Sequence, residues 1–177
     1  LLNEIIKTKQ ITSPASVLEI LRNDIRKGLR QDETYKTDGM DIALIMLEES
    51  VPGQTKVCFA GARRPLWYID SSNADRGIQE IPGSRISIGL KSHNHRKFQQ
   101  QQISLPSSSL LYIGSDGFTD QNNSQMKKLG SNGLKEILNT NWNLPLSHQR
   151  THLIQLLETR MKNTEQRDDI LLLGIKL

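Results

Sequence analysis

Ser109-Leu110-Leu111-Tyr112-Ile113-Gly114-Ser115-Asp116-Gly117-Phe118-Thr119-Asp120 is the stretch on which the fold of this sequence turns. Ser109 to Gly114 is an apolar, strand-sized run, and Ser115-Asp116-Gly117 ends it in a turn tripeptide. A second acidic position has the same character. In Arg167-Asp168-Asp169-Ile170, Asp168 comes just before the apolar run Ile170 to Leu177. A carboxylate at a strand end is held by the sheet yet reaches solvent. If these strands are antiparallel neighbours, the end of one lies beside the start of the other, and Asp116 and Asp168 converge at one rim of the sheet. Carboxylates so paired offer oxygen ligands to hard cations such as Mg2+ or Mn2+. Two such ions held about 3.5–4 Å apart can clamp a phosphoryl group for in-line displacement. The plainer reading is structural: Ser-Asp-Gly is an ordinary turn, and Asp-Asp before a strand is an ordinary loop end.

Outward from this stretch, Ser13 to Arg30 predicts a helix. Ser13 suits the cap, Pro14 the first helical position, and Val17, Leu18, Leu21, Ile25 and Leu29 form one apolar stripe. Gln31 to Gly39 is polar and turn-rich. Met40 to Glu48 is a nearly continuous apolar run, expected to be a strand buried on both faces. Lys56 to Gly61 and Leu66 to Asp70 are further strands, split by Pro52-Gly53 and Arg63-Arg64-Pro65, and the three read as an antiparallel meander. Ser71 to Gly77 reads as a loop, and residues 78 to 106 give weak strand signals. Gly133 to Thr140 and Leu146 to Lys162 predict helices. The layout is α+β, with helices covering a sheet core.

The 177 residues fit one domain, and 36% apolar with 24% charged residues is a globular balance. No apolar run approaches the ~20 residues of a membrane-spanning helix. A net charge of +4 with scattered basic residues, and 5% aromatics that do not interleave with them, argues against a nucleic-acid surface. The charge suits mild steering toward an acidic or phosphorylated partner. A lone cysteine, Cys58, rules out an internal disulfide. It reads as a small buried hydrophobe in a cytoplasmic protein. Leu1-Leu2-Asn3-Glu4-Ile5-Ile6 looks like mid-helix with no cap before it, so the sequence is expected to start inside a longer protein.

Four stretches, taken in order, resemble the PPM family of metal-dependent protein serine/threonine phosphatases in its SpoIIE-type branch. They are Asp38-Gly39-Met40-Asp41-Ile42-Ala43-Leu44, Phe59-Ala60-Gly61-Ala62-Arg63-Arg64-Pro65-Leu66, Tyr112 to Asp120, and Arg167-Asp168-Asp169-Ile170. The resemblance spans nearly the whole chain, and the last two stretches are the specific ones. It implies an αββα sandwich of antiparallel sheets flanked by helices, one domain over residues 1–177 that lacks its N-terminal strands. It also implies hydrolysis of phosphoserine or phosphothreonine by a metal-activated water, with two Mn2+ or Mg2+ ions. Asp116 and Asp168 fall on metal-ligand positions. Asp169, Asp120, Asp41 and Gly117 are supporting candidates, and Arg63 a weaker, phosphate-orienting one.

The family also uses an acidic ligand and a glycine carbonyl from earlier motifs, the second resembling Gly-His-Gly, and nothing here matches them. The 177 residues alone are therefore expected to be nearly inactive. The partners implied are a phosphorylated regulatory protein, such as an anti-sigma-factor antagonist, and an upstream sensor domain whose parent protein is cytoplasmic or membrane-anchored. A rival reading is a phosphatase-like domain without catalysis that binds a partner or relays a signal. Other candidates are local features. Arg63 and Arg64 also suit a solvated hairpin, and His93-Asn94-His95 a polar loop. Asp38 suits a turn, Asp41 a strand start and Asp120 the cap of a following turn.

Overall fold

The structure is a computed structural model that describes residues 1–8, 10–28, 39–89 and 96–177. The expected loop 31–38, with Asp38, and His93-Asn94-His95 lie outside the described residues. A π-helical turn, Glu4–Thr8, precedes helix α1, Pro14–Gly28. The strands are β1 (Ile42–Val51), β2 (Gln54–Ala62), β3 (Leu66–Ile69), β4 (Gln79–Ile81), β5 (Gln101–Pro106), β6 (Leu110–Gly114) and β7 (Leu172–Lys176). The remaining helices are α2 (Gly117–Asp120), α3 (Gly130–Asn141) and α4 (Leu146–Met161). Ser71–Arg76, expected to be a loop, is a 3-10 helix started by Asp70, whose carboxylate accepts from the Ser72 amide at 2.8 Å. The chain folds as two compact units, Leu1–Leu66 with Glu80–Leu105, and Trp67–Gln79 with Pro106–Leu177.

The first unit holds the sheet β1-β2-β5 with α1 packed on it. Ser13 caps α1 as its sequence suggests: its hydroxyl accepts from the Ser16 amide at 3.4 Å and donates to Gln100 Oε1 at 2.9 Å. The α1 stripe of Val17, Leu18 and Leu21 is buried against Ala60 and Ala62 of β2 and against Ile86, Ile88 and Phe98. Ile25, Ile42 and Leu44 pack at its margin. Met46, which continues the same alternation along β1, is not part of this cluster.

Two expectations need correction. β1 is not buried on both faces. It is the edge of the described sheet, with Leu47 42% exposed, and the doubly buried strand is its partner β2, where Val57, Cys58, Phe59, Ala60 and Ala62 are all buried. Nor do the first three strands form a meander. β1 and β2 pair antiparallel, but β3 joins the other sheet. The switch occurs at Arg63-Arg64-Pro65. Arg63 takes a left-handed φ of 58°, and the Arg64 carbonyl is pressed so close to Gly61 that a Cβ there would sit 2.1 Å from it. Only a glycine permits that approach.

The second unit holds β6, β7 and most of β3, neighbours in a sheet ordered β4-β3-β6-β7, covered by α2, α3 and α4. Register places Trp67 opposite Tyr112 and Ile69 opposite Leu110. These four side chains meet Phe118 of α2 and Leu134 and Leu138 of α3, one helical turn apart. Each such buried side chain contributes roughly 1.5–3 kcal/mol. Within this core the Tyr112 hydroxyl donates to Gln149 Oε1 of α4 at 2.8 Å. The Gln149 amide nitrogen donates to the carbonyls of Trp142 and Leu144 at 3.3 and 2.9 Å, holding the α3–α4 connection. Burial pushes the Tyr112 phenol from 10.0 up to about 12, against the lowering effect of the Gln149 bond.

Leu21→Ala, in the α1 stripe, is expected to cost about 2–5 kcal/mol in chemical denaturation. A loss under ~0.5 kcal/mol would mean that this face is not a core. Tyr112→Phe leaves Gln149 Oε1 without its donor and is expected to cost ~1–3 kcal/mol. Because the folded phenol titrates above the unfolded one, its contribution is complete below pH 10 and lost as pH rises toward about 12. Wild-type stability should therefore fall more steeply across that window than that of Tyr112→Phe, as read by denaturation at stepped pH.

Candidate active site

β6 and β7 are antiparallel neighbours, with Gly114 opposite Leu172. The turn after β6 thus lies beside the segment before β7, as the sequence implied. The pairing continues past both strands. The Ser115 amide donates to the Leu171 carbonyl at 3.0 Å, and the Leu171 amide donates to Ser115 Oγ at 3.0 Å. Ser115 Oγ itself donates to the Asp169 carbonyl at 2.7 Å. One hydroxyl therefore binds the chain on both sides of Ile170 and fixes the Asp168-Asp169 segment against the Asp116 turn.

Asp116 is half-buried at the start of α2. Its carbonyl accepts from the Asp120 amide at 2.8 Å and from Thr119 Oγ1 at 2.9 Å, which closes the short helix. Gly117 follows because nothing larger fits. A Cβ there would lie 2.3 Å from the Asp169 carbonyl oxygen and 3.0 Å from Ile170. Asp168 and Asp169 are exposed, and Asp168 Oδ1 accepts from the Asp169 amide at 2.7 Å, which orients the Asp168 carboxylate.

The other candidates divide by location. Asp120, on the same short helix as Asp116, accepts from Lys128 Nζ at 2.8 Å. Asp41 belongs to the first unit. There Arg64 Nη2 donates to its Oδ2 at 2.9 Å and Ser87 Oγ to its Oδ1 at 2.6 Å, so one oxygen holds Arg64 of the crossover and the other holds Ser87. Arg63 is exposed at the same crossover, its amide bonded to the Ser84 carbonyl at 2.9 Å. The structure thus brings the Asp116-Gly117 turn against Asp169, next to Asp168 in sequence, while Asp120 lies on the short helix that follows Asp116. Ser115 was quoted in the motif but given no role, because the sequence alone does not say what its hydroxyl meets. Gln121 was passed over because a glutamine in a polar run gives no sign of burial.

A single family model, described as stage II sporulation protein E (SpoIIE), matches residues 2–177. The chain belongs to the SpoIIE family. No curated protein matches it. Among solved structures, the SiaA-PP2C domain of Pseudomonas aeruginosa is similar with a TM-score of 0.77 and 21% identity, covering 99% of this chain and 65% of that one. The RsbU and RsbW domains of a Mycobacterium tuberculosis protein give 0.66 and 14%, covering 98% and 44%. The Mn-presoaked phosphatase domain of the cell fate determinant SpoIIE from Bacillus subtilis gives 0.56 and 16%, covering 99% and 71%. This chain thus spans less than two thirds of the first two. At these identities the likeness establishes the fold, antiparallel sheets flanked by helices as in PP2C phosphatase domains.

The donor set bears directly on the metal that this fold implies. Carboxylate oxygens suit Mn2+ or Mg2+ in kind. In number they fall short: among the described residues there is no group of three or more His, Cys, Asp or Glu side chains that could hold an ion. Asp116 and Asp168 are at most a part of such a site.

The close packing of Gly117 on Asp169 gives a direct check. Gly117→Ala must move the Asp168-Asp169 backbone and is expected to cost roughly 1–3 kcal/mol. Amide shifts in an NMR spectrum should concentrate at residues 115–117 and 168–171. Shifts confined to α2 alone would show that the two segments are not in contact.

Proposed function

We propose that this chain is the C-terminal part of a metal-dependent protein serine/threonine phosphatase domain, hydrolysing phosphoserine or phosphothreonine on a regulatory protein. The observation that carries the reading is the juncture of the Asp116 turn with the Asp168-Asp169 segment in a SpoIIE-family chain. Asp116 and Asp168 are its metal-ligand carboxylates, for Mn2+ or Mg2+. When bound, such ions neutralise phosphoryl charge and make water a stronger nucleophile. The chain's own part is to hold the two carboxylates in fixed relation and to orient Asp168 through the Asp169 amide. Both units belong to one domain, supported by a family match that runs unbroken through them.

The partner we infer is a phosphorylated signalling protein of the anti-sigma-factor-antagonist type, acted on in the cytoplasm, with a sensor domain elsewhere in the same protein. Among the described residues no helix is long and apolar enough to cross a membrane. One observation favours a second reading, a phosphatase-like module that binds without catalysis: the absence, among the described residues, of a group of three or more possible ligands.

Phosphate release from a phosphoserine peptide, with and without Mn2+, separates the two. The 177-residue chain alone is expected to be nearly inactive, since two carboxylates offset only two of the four positive charges that two divalent ions bring. In a longer protein containing this chain, Mn2+-dependent release is expected to drop by orders of magnitude with Asp116→Asn or Asp168→Asn, and far less with Arg63→Ala. Full activity of the short chain would overturn its incompleteness. Release that survives both Asp→Asn changes would overturn the site. Phosphoprotein binding without release in any form would establish the binding module.

A further inference from the structure

Gln121, next after α2, is fully buried although both its neighbours in sequence are polar. Its side chain is spent on one segment. Nε2 donates to the Glu165 carbonyl at 3.0 Å, and to Thr164 Oγ1 and the Asn122 carbonyl at 3.3 Å. Oε1 accepts from the Arg167 amide at 3.3 Å. The Gln121 carbonyl in turn accepts from Arg160 Nη2 at 3.4 Å, near the end of α4. Thr164 adds a bond of its own, its hydroxyl donating to the Asn122 carbonyl at 3.3 Å.

From these contacts we infer that Gln121 is a positioning residue that sets Asp168 against Asp116, an inference that rests on the carboxylate-pair reading above. The segment Thr164–Leu171 has two anchors on the Asp116 side of the fold. Gln121 grips Thr164, Glu165 and Arg167, and Ser115 grips Asp169 and Leu171. Asp168 is the residue between the two grips. Gln121 follows α2 directly, five residues after Asp116, so one short helix separates Asp116 from the first grip. With Ser115 alone, the chain before Asp169 would be free to swing about that single anchor. An amide side chain suits the task, since one group both donates to carbonyls and accepts from an N–H.

The test uses the 177-residue chain and two NMR measurements, amide hydrogen exchange and line broadening by added Mn2+. Gln121→Met keeps the buried volume but removes every bond of the amide. Exchange at Arg167 and Asp169 is expected to rise about tenfold or more, while amides of β6 hold within about twofold. In the wild type the Gly117 and Asp169 amides should broaden together as Mn2+ is added. In Gln121→Met, Asp169 should need several-fold more Mn2+ than Gly117.

Gln149→Met, which removes an equally buried amide of the same unit, is the control and should raise exchange across the unit alike. If Gln121→Met does not fold, Thr164→Val, which removes one acceptor of the grip, should give the same pattern in smaller measure. Exchange in Gln121→Met that rises evenly over the unit, as in the control, would make Gln121 a packing residue and overturn the inference. Selective loosening at 167–169 without joint broadening in the wild type would instead overturn the carboxylate pair, and with it any site for Gln121 to serve.

Discussion

The antiparallel pairing of β6 with β7 is the constraint on which the rest of the site depends. Strands in register from Leu110 opposite Lys176 to Gly114 opposite Leu172 bring the residues after β6 beside those before β7. Ser115 extends that register past the strand end through three bonds of one residue. Two stretches far apart in sequence, around 116 and 168, are thereby brought side by side by strand register and by the Ser115 hydroxyl. The helical layer secures the pairing from behind, since Tyr112 at the middle of β6 is bonded to Gln149 of α4 and packed on Phe118.

What could be read from the sequence follows from how local each signal is. The cap and stripe of α1, the apolar run of β6 and the acid-flanked start of β7 are encoded within a few residues, and each element appears close to where it was expected. The family resemblance rested on the same local motifs, and the match over residues 2–177 agrees with it. Apart from the 3-10 helix at Ser71–Arg76, which a local Asp70 cap starts, the departures are non-local. Apolar density alone cannot distinguish an edge strand from a central one, so β1 was taken for the buried strand when β2 holds that place. Which sheet β3 joins is decided by the Arg64 carbonyl fitting between Gly61 and Gly83, a contact between residues about twenty apart. Gln121 is invisible for the same reason, since its partners lie more than forty residues on.

Within the site, polar satisfaction and close packing act together. Gly117 lets the α2 turn approach the Asp169 carbonyl, and that same carbonyl is satisfied by Ser115 Oγ. The Ser-Asp-Gly tripeptide, an ordinary turn by composition, here has a separate task for each residue. The serine ties the two segments, the glycine lets them touch, and the aspartate is left at their meeting point.

Charge then argues for the proposed metal dependence more strongly than any single distance. The Asp116 turn meets the exposed Asp168-Asp169 segment at one edge of the second unit, and Asp120 on the same short helix accepts from Lys128. A phosphoryl group approaching this rim brings further negative charge. Each like-charge pair at about 4 Å costs ~1 kcal/mol in water and ~4 kcal/mol at the effective dielectric of a protein surface. Such pairs weaken the approach of a phosphorylated group. A site built to receive phosphate on direct contact would present arginines or backbone N–H groups instead. On the proposed reading, cations standing between the two reconcile these carboxylates with a phosphorylated substrate. The carboxylates then act as the holders of those cations, and the same charges that repel the bare phosphate bind what attracts it.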